Sequence, residues 1–283
     1  PKLAWVAVSD NPFMASASAA AGASRPQLQV ISDLHFSEQD QVLGQGAGGI
    51  TRKVKWNGKD VAVKEYGGAM TSDGLPETER RLACAAATLQ CSALVQVFGE
   101  TKQHGALVME YLDGFVPLAG PPSMESCSRD VCEIDHVNSI LMTTEQAELL
   151  VVRLLEALTK LHSAGIAHGD FYGHNILLDA SEPSNVRLTD LGAAFFYDLN
   201  SEYAPYIQLA EIRAFTIMAT EVYTQWVVNK NEQESNLLKE LIAHLEEKIA
   251  AATSAPVIVN FESILIWVKQ KQLKSMASNF RVD

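Results

Sequence analysis

Apolar and polar positions alternate in two rhythms along this chain. Up to about residue 111 the rhythm is short. Ile50-Thr-Arg-Lys-Val-Lys-Trp56 and Lys59-Asp-Val-Ala-Val-Lys-Glu-Tyr66 are β-prone runs separated by Asn57-Gly58. An Asn-Gly pair in that setting predicts a tight hairpin, because both turn residues take positive φ. A short strand is expected at Leu28–Ile31, a helix over Pro76–Gln90, and two more strands at Leu94–Phe98 and Ala106–Tyr111. Residues 114–138, with Pro117, Pro121 and Pro122, read as loop. The period then lengthens to that of a helix. Thr143 with Gln146 forms a capping box, and Leu149, Leu150, Leu154, Leu158 and Leu161 define an apolar face. Short strands at Ile176–Leu178 and Val186–Thr189 flank Glu182-Pro183, and from Leu209 onward the chain reads as helical with a polar break at Asn229–Ser235. Strands first and helices second predict an α+β fold of two lobes rather than an alternating sheet.

Composition narrows the function. The chain has 283 residues, 47% of them hydrophobic, and a formal charge of −12. That is enough apolar material for a real core, and the acidic balance argues against a nucleic-acid partner, which requires a basic footprint. No run approaches the roughly 18 apolar residues that span a bilayer; Pro256–Val268 is broken by Asn260, Glu262 and Ser263. Four cysteines are too few for a disulfide scaffold and point to a reducing compartment, so a cytoplasmic location is expected. The small, polar stretch 10–27 places a flexible Ala/Ser-rich arm at residues 1–27, ahead of one folded unit over 28–283. The arm reads either as the remnant of an organellar presequence or as a tether to a larger assembly.

Chemistry concentrates in three segments. Gly44-Gln-Gly46-Ala-Gly-Gly49 satisfies G-x-G-x-x-G. Such a loop opens a helix in dinucleotide folds and joins two strands where it covers ATP phosphates; here a hairpin follows, which favours the second arrangement. Val61-Ala-Val-Lys64 then sets Ala62 and Lys64 on one strand face, Val61 and Val63 on the other. A small Ala beside the ammonium leaves room for a flat adenine ring. Third, His168-Gly-Asp170-Phe-Tyr-Gly-His-Asn175 precedes Thr189-Asp190-Leu-Gly192. Asp170 is suited to accept a hydroxyl proton, while Asn175 and Asp190 offer oxygen ligands for Mg²⁺ beside a transferring phosphoryl group.

These segments, in order and from about Leu34 to Lys271, resemble the protein-kinase superfamily, closest to its tyrosine-kinase-like serine/threonine branch. The resemblance implies a bilobal kinase-like fold: a β-rich N-lobe over 28–110, a hinge at 110–113 and a helical C-lobe over 114–283. It implies ATP and Mg²⁺, with Gly44, Gly46 and Gly49 as the glycine-rich lid and Lys64 on the phosphates. Ala62 and Leu177 would enclose the adenine, Met109 would be the gatekeeper, and Glu110, Tyr111 and Leu112 the hinge. Asp170, Lys64 and Asn175 would be catalytic, Asn175 and Asp190 the metal ligands. Glu79 fits best as the lysine's helical partner, with Glu77 as second choice. The implied activity is transfer of the γ-phosphoryl group to a Ser/Thr hydroxyl of a protein substrate.

The departures keep two alternatives open. Gly169 stands where the family has the arginine that docks a phosphorylated activation loop, and Tyr172 where serine/threonine kinases carry a lysine on the γ-phosphate. The Phe of Asp-Phe-Gly is Leu191, and Thr51 follows the lid. The stretch from Asp190 to Glu211 is short for an activation segment and lacks Ala-Pro-Glu; Ala204-Pro-Tyr206 is a poor substitute. One alternative is a pseudokinase acting as a nucleotide-binding or scaffold subunit. The other is a small-molecule phosphotransferase, since His-Gly-Asp also resembles the aminoglycoside and choline kinase-like enzymes.

Other features carry simpler readings. Cys127, Cys132 and His136, with Asp135, could ligate Zn²⁺, but the spacing is loose and a loop insertion accounts for them. Cys84 and Cys91 read as small core residues of one helix, His174 as a solvent-exposed loop residue with a place facing substrate as the alternative, and His162 and His244 as helix residues without special role. The acidic stretch Glu232–Glu247 reads as a solvated helix face, and Trp226 and Trp267 as anchors.

Overall fold

The structure is a computed structural model that describes residues 28–46, 48–68, 75–102, 105–121, 140–228, 237–254 and 259–279. The arm at 1–27, the Cys127–His136 cluster and the polar break at 229–235 lie outside the described residues.

The first lobe is a six-stranded sheet built from β1 (Val30–Ile31), β2 (Gln41–Gly46), β3 (Gly49–Trp56), β4 (Lys59–Glu65), β5 (Val97–Thr101) and β6 (Leu107–Glu110), in the order β1-β5-β6-β4-β3-β2. The Asn57-Gly58 hairpin forms as the sequence predicts, with φ of 50° and 78° at its two turn residues. Alternation along β4 divides its side chains. Val61 and Val63 join Ile31, Leu34, Val54, Ala106 and Val108 in a core on the outer face, which leaves Ala62 and Lys64 for the inner face. The segment before β2 crosses that outer face: Trp56 Nε1 donates to Asp33 Oδ1 at 3.2 Å, and the Arg52 guanidinium donates to the carbonyls of Glu38 and Asp40 at 3.3 Å each.

Two boundaries in this lobe differ from the sequence reading. Helix α1 covers Pro76–Ala87, with Thr88 as its C-cap. Gln90 adopts a left-handed φ of 48°, which a continuing helix cannot contain. Cys84 is therefore buried on α1, while Cys91 lies beyond the helix and is half-buried. The strand expected from Leu94 starts only at Val97, because the preceding residues are bonded to the other lobe. Val95 N–H donates to the Leu188 carbonyl at 3.1 Å and Leu188 N–H to the Ala93 carbonyl at 2.7 Å.

The second lobe is helical around a large apolar core. Helix α2 (Thr144–Ser163) begins at the capping box, with Gln146 N–H donating to Thr143 Oγ1 at 3.2 Å and Thr143 N–H to Gln146 Oε1 at 3.0 Å. Leu150, Leu154, Leu158 and Leu161 are buried as expected, but Leu149 is 40% exposed. It stands about 100° round the helix from Leu150, off the buried stripe. Short strands follow: β7 (Phe115–Pro117), β9 (Ile176–Asp179) and β10 (Val186–Leu188) form one sheet, while β8 (Ile166–Ala167) pairs with β11 (Phe195–Phe196).

Helix α3 (Ala204–Glu221) starts earlier than the expected Leu209 and runs into a π-helical turn at Val222–Trp226. Pro205 occupies its first turn, where a missing N–H costs nothing. Ala204-Pro-Tyr206 is therefore the head of this helix rather than a separate anchor. Helices α4 (Leu237–Ser254) and α5 (Phe261–Asn279) complete the lobe. Trp226 is fully buried, and Trp267 stacks on His244 with ring centroids 4.3 Å apart. Among the described residues no helix is long and apolar enough to cross a membrane.

Candidate active site

A cleft of about 400 Å³ lies between the lobes. Gly44, Ala62, Lys64, Glu79, Met109, Glu110, Leu112, Leu177 and Asp190 line it, together with Thr51 and Tyr111. Gly46 and Gly49 sit at the β2–β3 turn, and Asp170 and Asn175 in the loop between β8 and β9.

Lys64 organises the cleft. Its Nζ donates to Glu79 Oε1 at 2.8 Å and to Asp190 Oδ1 at 2.9 Å, while the residue is only 8% exposed. Burial alone would lower its pKa, but the Asp190 and Glu79 carboxylates more than offset that and hold it above the ordinary lysine value. The same geometry selects between the two helical candidates, since Glu79 is buried on the cleft side of α1 and Glu77 is exposed. Asp190 is the lysine's second partner, reached across the lobes. Burial pushes its pKa up; the Lys64 ammonium and the Gly192 N–H, 3.0 Å away, bring it below the usual carboxylate range. It holds a left-handed φ of 56°, a costly conformation for a non-glycine residue that surrounding contacts must enforce.

The loop between β8 and β9 gathers the remaining chemistry. Asn175 Nδ2 donates to Asp170 Oδ2 at 2.8 Å and to the Asp170 carbonyl at 2.9 Å. The Asn175 carbonyl in turn accepts Thr189 N–H at 2.9 Å and Thr189 Oγ1–H at 3.0 Å. Asp190 is thereby tied next to Asn175, although the two are far apart in sequence. His168 is fully buried; its Nε2 lies 3.0 Å from the Thr189 carbonyl and its Nδ1 accepts Asp170 N–H at 3.4 Å, which fixes the Nε2-protonated tautomer. Burial raises the Asp170 pKa, but the hydrogen bond and charge of His174, with smaller contributions from His168 and Asn175, leave it below the usual carboxylate value.

Two residues behave differently from their sequence reading. His174 is not a free loop residue: it is half-buried, with Nε2 3.5 Å from Asp170 Oδ2 and its ring stacked on Tyr172. His162 is buried and bonded at both ring nitrogens, Nδ1 to the Tyr197 hydroxyl at 2.7 Å and Nε2 to Glu211 Oε2 at 2.5 Å. Glu211, deep in α3, also accepts His168 N–H at 3.1 Å and Gly169 N–H at 2.8 Å. It is a structural keystone at the end of the short stretch that begins at Asp190. The available signal was a lone carboxylate in the apolar run Leu209-Ala-Glu-Ile-Arg-Ala-Phe215. Such a residue must be paired when buried. Arg187 was also missed. It donates from Nε to Glu110 Oε1 at 3.1 Å and so joins β10 to the strand that enters the connection between lobes.

The glycines and oxygen donors define what this cleft can accept. A Cβ on Gly49, at φ 138°, would lie 2.0 Å from the Glu65 carbonyl, so this glycine is required by the β3–β4 backbone. A Cβ on Gly44 or Gly46 would meet nothing within 4 Å, so the space beside them is open to a ligand. Among the described residues no group of three or more His, Cys, Asp or Glu side chains could hold a metal. The Asn175 and Asp190 oxygens are hard donors that fit Mg²⁺ when phosphate and water supply its other ligands.

A family model described as "Protein kinase domain" matches residues 37–227. The chain is 29% identical over 161 residues to the serine/threonine-protein kinase grp of Drosophila melanogaster, covering 56% of this chain and 28% of that protein. It is 27% identical over 168 residues to a serine/threonine-protein kinase of Saccharomyces cerevisiae, covering 56% of this chain and 18% of that protein. The chain spans less than a third of the length of the curated relatives it matches.

Proposed function

The chain belongs to the protein-kinase domain family, and on that footing we propose that it is an ATP-dependent phosphotransferase acting on a Ser/Thr hydroxyl of a protein. The observation that carries this reading is Lys64 held between Glu79 and Asp190 at the cleft, with Asp190 tied next to the Asp170–Asn175 pair. ATP would enter with its adenine between Ala62 and Leu177, against the Met109–Leu112 backbone, and its phosphates toward Lys64 and the open space beside Gly44 and Gly46. Asp170, kept ionised below the usual carboxylate range, would accept the proton of the acceptor hydroxyl. Asn175 and Asp190 would hold Mg²⁺, which supplies charge neutralisation at the phosphates when bound. The charge that Tyr172 lacks is absent from this scheme, so turnover is expected to be slow.

Thermal unfolding with ATP, with and without Mg²⁺, tests binding; a rise that requires Mg²⁺ supports the reading. Transfer of labelled γ-phosphate to the chain itself, to casein and to histone, compared with Asp170→Asn, tests catalysis. Equal label from both forms overturns it. One observation favours a second reading. The segment from Gly192 leads through Tyr203 straight into α3, which leaves little platform for a peptide. A nucleotide-binding scaffold or a kinase for small hydroxyl compounds would fit that geometry. ATP binding without transfer supports the scaffold, and ATP turnover stimulated by choline or an aminoglycoside supports the small-molecule enzyme.

A further inference from the structure

We infer that His174 is a positioning residue for Asp170; this rests on the phosphotransferase reading above. The one-turn 3₁₀ segment Gly173–Asn175 folds the chain back so that two side chains converge on one oxygen. Asn175 Nδ2 donates to Asp170 Oδ2 at 2.8 Å, and His174 Nε2 lies 3.5 Å from that same oxygen. With the Asn175 amide at hydrogen-bond distance and the His174 imidazole at ion-pair distance from Oδ2, the carboxylate is held against rotation. Tyr172 contributes by packing. Its ring lies 5.8 Å from that of His174, centroid to centroid, with 25° between planes, so the tyrosine buttresses the imidazole. Backbone bonds preserve the arrangement, as Tyr172 N–H donates to the Asp170 carbonyl and Asn175 N–H to the Tyr172 carbonyl, each at 3.0 Å. Tyr172 thus acts on the site through His174.

Two variants separate the ring from its donor. His174→Phe keeps an aromatic face for Tyr172 and removes the N–H; His174→Gln keeps an N–H donor and removes the ring. With casein as acceptor, His174→Phe is expected to lower kcat by about 10- to 100-fold, the scale of a misaligned reacting group. KM for ATP should move by less than about twofold, and His174→Gln should recover most of the lost turnover. Unchanged kcat in His174→Phe, no recovery in His174→Gln, or a loss confined to KM overturns the inference. An imidazole proton–nitrogen correlation spectrum of the ATP-free protein gives a readout independent of turnover. The wild type should carry the His174 proton on Nε2, and Asp170→Ala should erase that preference. A proton on Nδ1, or a spectrum indifferent to Asp170→Ala, overturns the inference by itself. If the wild type transfers no phosphate while the Nε2 signature holds, the phosphotransferase reading falls and the His174–Asp170 coupling stands.

Discussion

A Cβ placed on Gly169 would lie 2.2 Å from the carbonyl oxygen of Ala193. Gly169 also has a φ of 79°, a conformation that side chains disfavour. The segment after Asp190 therefore rests backbone to backbone on the loop that carries Asp170. Gly165 repeats the arrangement, since its Cβ would lie 2.8 Å from the Tyr197 carbonyl. At the position where the sequence resemblance places an arginine, this chain needs no side chain at all. Gly169→Ala is expected to destabilise the fold by about 1–3 kcal/mol, measured by urea unfolding. Gly169→Arg, which restores the family residue, should be at least as damaging. A Gly169→Arg variant as stable as the wild type would contradict the packing argument.

Removing Lys64 should cost stability as well as nucleotide binding. Lys64→Met removes the cation from the buried Glu79 carboxylate, and breaking a buried pair from one side typically costs about 3–5 kcal/mol. Adding Glu79→Leu removes the buried charge that faced the lysine. The double variant is expected to regain much of the unfolding midpoint while gaining no thermal shift from ATP and Mg²⁺. A double variant that regained the nucleotide shift would show that Lys64 is not the phosphate contact.

The glycines of the lid should separate into two kinds. Gly49→Ala meets the Glu65 carbonyl and should lower the unfolding midpoint. Gly46→Ala meets nothing and should stay within about 0.5 kcal/mol of the wild type. If Gly46 borders bound phosphate, the same variant weakens the ATP-induced shift. Calorimetry with and without nucleotide measures both effects.

Acid sensitivity should trace to Glu211. Burial pushes its pKa up, but His162 first and the His168 and Gly169 contacts after it hold it below the usual 4.5. The unfolded chain therefore takes up this proton at higher pH than the folded one, so protonation favours unfolding. The stabilisation is fully present above about pH 5 and is lost as pH falls through the folded value. Wild-type stability should fall toward that of Glu211→Gln as the pH drops from about 6 to about 3. A gap between the two that is constant with pH would rule the carboxylate out as the acid-labile group.

Much of the site could be read from residue type and spacing because its parts are local. The Asn57-Gly58 turn, the split of β4 into Val61/Val63 and Ala62/Lys64, and the Thr143–Gln146 cap depend on neighbours within a few residues. The misreadings share a different origin. Leu94 looked like strand but is bridged to Leu188 in the other lobe. His174 looked exposed until the 3₁₀ turn brought it back to Asp170. His162 and Glu211, on different helices, meet only when α2 and α3 pack.

The sequence by itself determined the two-lobe order, the hairpin and the glycine-rich turn, and it singled out Lys64, Asp170, Asn175 and Asp190 as the candidates for chemistry. It did so because periodicity and turn propensity act over short range, and because few side chains can hold phosphate, metal or a proton. Only the tertiary structure decided that Glu79 rather than Glu77 meets Lys64, that Gly169 makes room for Ala193, and that Glu211 anchors the loop that carries Asp170. Each of these depends on a buried charge or a crowded carbonyl from a distant part of the chain, and such partners exist only once the helices and strands have packed.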